Sequence, residues 1–127
     1  MSALGVAFGA ALGAVLRYLA ARAAGPRGPW ATWAVNTVGS GVVGAVLGLA
    51  GRGLLAPAVV TAVGAGFCGG LTTYSTLAHE TLRLARQPGP QRWWAVGYPM
   101  LTLVAGVAAV AAGWWFTAGY TTADLRW

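Results

Sequence analysis

The sequence predicts an all-α membrane protein of four transmembrane helices with a broken third helix. Composition is the first sign. Of 127 residues 57% are hydrophobic and only 8% charged, where an average soluble domain carries about 25% charged residues. Four apolar segments follow one another, at 4–24, 30–50, 57–84 and 93–117, each at least as long as the roughly 20 residues that cross a bilayer. Short loops rich in glycine, proline and arginine separate them, so residues 1–127 read as one four-helix domain with no chain left for a soluble one. The third sign lies inside the third segment, where 66–80 (Gly-Phe-Cys-Gly-Gly-Leu-Thr-Thr-Tyr-Ser-Thr-Leu-Ala-His-Glu) sets polar residues in mid-span.

The first helix repeats glycine at Gly5, Gly9 and Gly13, a smooth face against which another helix packs closely. It has no basic leader and no clear cleavage site, and reads as a retained span rather than a signal peptide. Arg17 and Tyr18 stand near its far end. A snorkelling arginine beside an interfacial tyrosine is one reading, and a positive charge at the entrance to an anion path is the other.

The second helix carries Thr32, Asn36 and Ser40 at steps of four, a polar stripe on one face. Such a stripe either bonds a neighbouring helix or lines a pathway. Beyond it Gly44 and Gly48 repeat the small-residue spacing.

In the third helix, paired glycines followed by paired threonines predict a break across 69–73, because glycine adds backbone freedom and threonine hydroxyls compete for backbone partners. Irregular backbone at that depth is tolerated only inside protein or beside a wet cavity. Thr72, Thr73, Ser75 and Thr76 offer four hydroxyls, with Tyr74 and Leu77 three apart on one face. Hydroxyls satisfied on the preceding turn are the plainer alternative. His79 and Glu80 come at the end of the segment, at the interface.

The fourth helix has Tyr98 and Thr102 at a spacing of four, with Pro99 between. Trp93–Trp94 and Trp114–Trp115 lie 21 positions apart, about 31 Å along a helix and close to the thickness of a bilayer core.

Charge narrows the function. Eight arginines, no lysine and two acids (Glu80 and Asp124) give a net charge of +6. The arginines are scattered among apolar runs and form no basic stripe, which excludes nucleic acid and points to lipid headgroups and an anionic solute. Cys68 is the single cysteine and His79 the single histidine, so no disulfide framework, metal cluster or catalytic triad can be assembled. Enzymes are excluded on that ground. Inside the spans the polar groups are almost all donors, with no mid-span carboxylate of the kind cation and proton paths use. Donors select a small hard anion moving passively. A broken helix adds amide N–H groups that favour an anion and freed carbonyls that favour a cation.

Gly13–Tyr18, Val35–Ser40 and residues 66–80 resemble the three signature stretches of the CrcB/Fluc fluoride channels, and the likeness runs the length of the chain. The resemblance implies a fluoride-selective channel subunit that lowers cytoplasmic fluoride by passive efflux. It further implies dimers inserted antiparallel in the cell membrane, with a structural sodium ion (Na+) at the dimer centre. Gly69 and Thr72 would give backbone carbonyls to sodium. Asn36 would donate to fluoride, Ser75, Thr76 and Thr102 would form the polar track, and Tyr74 and Leu77 would fill two positions that usually hold phenylalanine. Tyr98 joins the pathway and Arg17 its entrance from the reading of the residues themselves.

Leucine at 77 removes one aromatic edge, and Ala78 stands where the family often has serine. Arg22, Arg27, Arg83, Arg86 and Arg92 on the first and third loops face only Arg52 and Arg126 on the other side, which predicts one orientation with both termini outside. A fixed orientation suits pairing with an oppositely inserted paralogue, in which this subunit is a non-conducting partner. A small multidrug-type exporter is the remaining four-helix alternative, although no carboxylate stands in the first helix.

Overall fold

A computed structural model describes residues 2–25 and 29–119; Arg27, Asp124 and Arg126 lie outside them. The described chain is helical with no strand. Helix α1 spans Ser2–Ala24 and α2 spans Trp30–Gly51. The third segment begins at Pro57, whose ring suits a first helical turn. It runs as Pro57–Thr61, a widened π-helical stretch Ala62–Cys68, and Gly69–Leu71, together the arm α3. A second arm, α4, spans Tyr74–Ala85. A 3₁₀ turn, Gly89–Trp93, leads into α5, Trp94–Ala118. Three stretches, α1, α2 and 89–118, are long and apolar enough to cross a membrane. The broken segment is not among them because the break leaves two arms, 57–71 and 74–85, each too short to cross alone.

The break is narrower than glycine content suggests. Gly69 keeps helical angles (φ −62°, ψ −36°), and Gly69–Leu71 remain a helix. Only Thr72 (φ −80°, ψ 156°) and Thr73 (φ −150°, ψ 124°) are extended. The expectation of a break over 69–73 is corrected to the threonine pair. The glycines serve packing instead: a Cβ on Gly70 would run into the Ala10 carbonyl, and one on Gly66 would lie 2.7 Å from the Val6 carbonyl oxygen.

Glycine also sets the helix pairs. Gly5, Gly9 and Gly13 meet Ala62, Phe67 and Leu71 in rising order, so α1 and α3 run parallel at backbone contact. Gly41, Gly44 and Gly48 meet Ala109, Val110 and Thr117 in the same sense, pairing α2 with α5. Between the pairs the order reverses, since Thr32 reaches Glu80 and Asn36 reaches Thr73. The end of α1, the start of α2, the end of α4 and the start of α5 therefore share one face of the bundle. In lipid, helices gain nothing from hiding apolar surface from one another, so close backbone approach is what holds these pairs.

Candidate functional site

The break is held by a side chain 37 positions away. In an unbroken helix the amide of Thr73 would donate to the Gly69 carbonyl. Here it donates to Asn36 Oδ1 at 2.8 Å, while Asn36 Nδ2 donates to the Thr73 carbonyl at 3.1 Å. One carboxamide thus satisfies both polar groups of Thr73. The same residue caps α4, its Oγ1 accepting from the Thr76 amide at 3.2 Å and bonding Thr76 Oγ1 at 3.0 Å and Ser75 Oγ at 3.3 Å. Thr72 turns back, its amide and its hydroxyl both donating to the Cys68 carbonyl at 2.9 Å. The carbonyl of Thr72 accepts from Arg17 Nη1 at 3.4 Å. Arg17 therefore reaches the break itself.

On α4, two turns past the break, Glu80 is half-buried. Its Oε1 accepts from Thr32 Oγ1 at 3.1 Å and its Oε2 from Tyr98 Oη at 2.7 Å. The Tyr98 hydroxyl also lies 3.2 Å from the Pro29 carbonyl, but its one hydrogen favours the carboxylate, the closer and charged acceptor. Tyr98 is 2% exposed. Glu80 escaped the sequence reading because both partners come from other helices. A signal was present nonetheless: Thr73, Thr76 and Glu80 fall at i, i+3 and i+7, on one face of α4.

A groove of about 900 Å³ opens between the break and α5, with Asn36, Ser40, Tyr74, Leu77 and Thr102 among its walls. Tyr74 is 82% exposed on its rim. Thr102 Oγ1 donates to the Tyr98 carbonyl at 2.9 Å, on its own preceding turn. Asn36, Thr72, Tyr74, Leu77 and Thr102 thus share one concavity, with Ser75 and Thr76 exposed beside the cap. Arg17, Tyr98 and Glu80 lie outside its walls. A smaller concavity of about 250 Å³ lies beside it, bordered by Gly39, Ser40, Cys68, Gly69 and Thr72. Among the described residues no group of three or more His, Cys, Asp or Glu could hold a metal.

The arrangement offers donors at the mouth of a helix. The amides opening α4 carry the positive end of its dipole, and the remaining N–H of Asn36 Nδ2 stands beside them. A small anion fits that set.

The family model for "CrcB-like protein, Camphor Resistance (CrcB)" matches residues 4–114. A protein of Thermobifida fusca named fluoride-specific ion channel FluC 1 is 46% identical over 118 residues, covering 89% of this chain and 92% of its own length. One of the same name from Streptomyces avermitilis is 39% identical over 120 residues, covering 91% and 95%. The fluoride-specific ion channel FluC of Methanopyrus kandleri is 42% identical over 111 residues, covering 85% and 82%. With the broken helix, the clamped threonine pair and this likeness from end to end, the chain belongs to the CrcB family, and it is a membrane protein.

Proposed function

We propose that this chain is a subunit of a fluoride-selective channel that drains fluoride passively from the cell, as the names of its relatives suggest. The observation that carries the reading is Asn36, which clamps the break and borders the groove at once. Fluoride holds its water tightly, so a path must replace that water with hydrogen bonds at each step. Asn36 Nδ2 keeps one hydrogen after bonding Thr73, and the α4 dipole favours negative charge there. Ser75 and Thr76 extend the donors, the ring edge of Tyr74 adds partial positive charge, and Thr102, its hydrogen given to the Tyr98 carbonyl, borders the track. Leu77 gives no such edge. Tyr98 serves from outside the groove by tying Glu80, which keeps the carboxylate off the anion's path.

A second subunit inserted antiparallel would close the open groove, placing the chain in the cell membrane with both termini outside. Sodium at the dimer centre is part of the proposal. The Gly69 carbonyl has lost the Thr73 amide to Asn36, and Gly69 is exposed beside the smaller concavity. Carbonyl oxygen suits a hard cation, so the residues fit. The Thr72 carbonyl shares its oxygen with Arg17 and keeps one lone pair. Bound there, sodium would supply a fixed positive charge that holds the breaks of two subunits together.

Leu77 on the groove wall favours a second reading, a subunit whose own pore is silent and whose partner conducts. Fluoride efflux from liposomes, with chloride as control, tests both. The chain alone should release fluoride over chloride, and Asn36→Ala should slow release at least tenfold. No release alone, with release restored by an oppositely inserted paralogue, would replace the first reading with the second.

A further inference from the structure

The polar arm outlasts the membrane. Residues 57–71 and 74–85 run about 40 Å as helix, with about 7 Å more across the extended pair, against a hydrocarbon core of about 30 Å. The last turns of α4 therefore stand in the headgroup layer. Arg83 and Arg86 lie there, both exposed. The 3₁₀ turn packs against α4 and α5 and brings Arg92 to the same corner. Arg92 sits 5.4 Å from the centre of the Trp93 ring, and Trp93 is 68% exposed.

The arginines divide by what they hold. Arg17 donates to the Thr72 carbonyl, Arg22 to Tyr18 Oη and Arg52 to the Thr117 carbonyl. Arg83, Arg86 and Arg92 carry no such bond. No carboxylate competes for them, since Glu80, the one acid among the described residues, is taken by Thr32 and Tyr98. Three unspent guanidinium forks at headgroup depth, flanked by exposed indole, match the phosphate of an anionic lipid.

We propose that the corner formed by the end of α4 and the 89–93 turn binds an anionic phospholipid, with Arg83, Arg86 and Arg92 on its phosphate and Trp93 beneath its glycerol. The site is independent of the ion path. It anchors the arm that carries the α4 dipole to the membrane surface.

Native mass spectrometry of the purified chain tests this, with phosphatidylglycerol and phosphatidylcholine of equal acyl chains supplied at equal concentration. Phosphatidylglycerol should be retained at least fivefold over phosphatidylcholine. An R83Q/R86Q/R92Q variant should lose that preference, while Arg52→Gln at the opposite end keeps it. Circular dichroism shows whether the triple variant is folded; if it is not, Arg92→Gln alone should halve the preference. Equal retention of the two lipids, or a preference surviving in the folded variant, overturns the proposal. Displacement of the lipid by millimolar inorganic phosphate also overturns it, because it would show an anion site that needs no lipid.

Discussion

The two arms of the broken helix are held by opposite means. Arm α3 lies on α1 with glycine against backbone, and almost nothing polar passes between them. Arm α4 is held by hydrogen bonds: Asn36 and Thr73 at its start, Thr32, Tyr98 and Glu80 two turns later. Packing fixes position through shape and tolerates no added volume. Hydrogen bonds fix orientation and depend on which atoms are present. The arm nearer the candidate anion path is the one positioned by chemistry that an anion can also use.

Volume added to the first arm should do the greatest harm. Gly70→Leu drives a side chain into the Ala10 carbonyl, and we predict a loss of at least about 3 kcal/mol in thermal or denaturant unfolding in detergent. Gly64→Ala is the control, because nothing lies within 4 Å of its added carbon, and stability should hold or rise by up to about 1 kcal/mol, alanine being the better helix former. Equal damage from both would mean that close approach to α1 does not set the arm's tolerance, since alanine and leucine both favour a helix over glycine.

Glu80→Gln tests the second arm with an intermediate effect. The amide keeps one acceptor oxygen and turns its N–H₂ to the other hydroxyl, so one of the charge-assisted bonds from Thr32 and Tyr98 is replaced by a reversed, neutral one and the other loses its charge. A cost of about 1–2 kcal/mol is expected, with fluoride release changed beyond what stability explains. An unchanged melting temperature would show that the cluster contributes nothing to holding α4.

Thr102→Val should matter least. The hydroxyl is spent on the Tyr98 carbonyl, so stability should move by less than about 0.5 kcal/mol. Release should fall by no more than about threefold in the liposome assay. A larger fall at unchanged stability would move Thr102 from the wall of the groove into the ion's path.

What the sequence disclosed follows the same division. The glycine periodicity of α1 and the stripe of Thr32, Asn36 and Ser40 are local patterns, readable from spacing because a helix repeats its faces. The location of the break was only half legible. Gly69 and Gly70 looked like its cause, yet they stay helical, and the chain opens at Thr72 and Thr73, where Asn36 replaces the missing helical bonds. That partner lies 37 positions away, beyond the reach of local propensity. The bonding of Glu80 went unread for a similar reason, since its position along the helix was legible and its partners were not. The π-helical turn at Ala62–Cys68 has no signature that residue preferences would reveal.

The clamp at Thr73 also limits which amino acid can stand at 36. A carboxamide is a peptide group detached from the chain: one acceptor and one donor on a single planar carbon, spaced as the main chain spaces its own. Asn36 therefore stands in for a neighbouring strand, one residue long, paired edge to edge with Thr73. Aspartate at 36 would keep the acceptor and lack the N–H; serine and threonine would bring a single oxygen; glutamine would overreach by a methylene. Grafting such a break into another membrane helix would thus require two changes made together, an extended pair in one helix and an asparagine at matching depth in its neighbour.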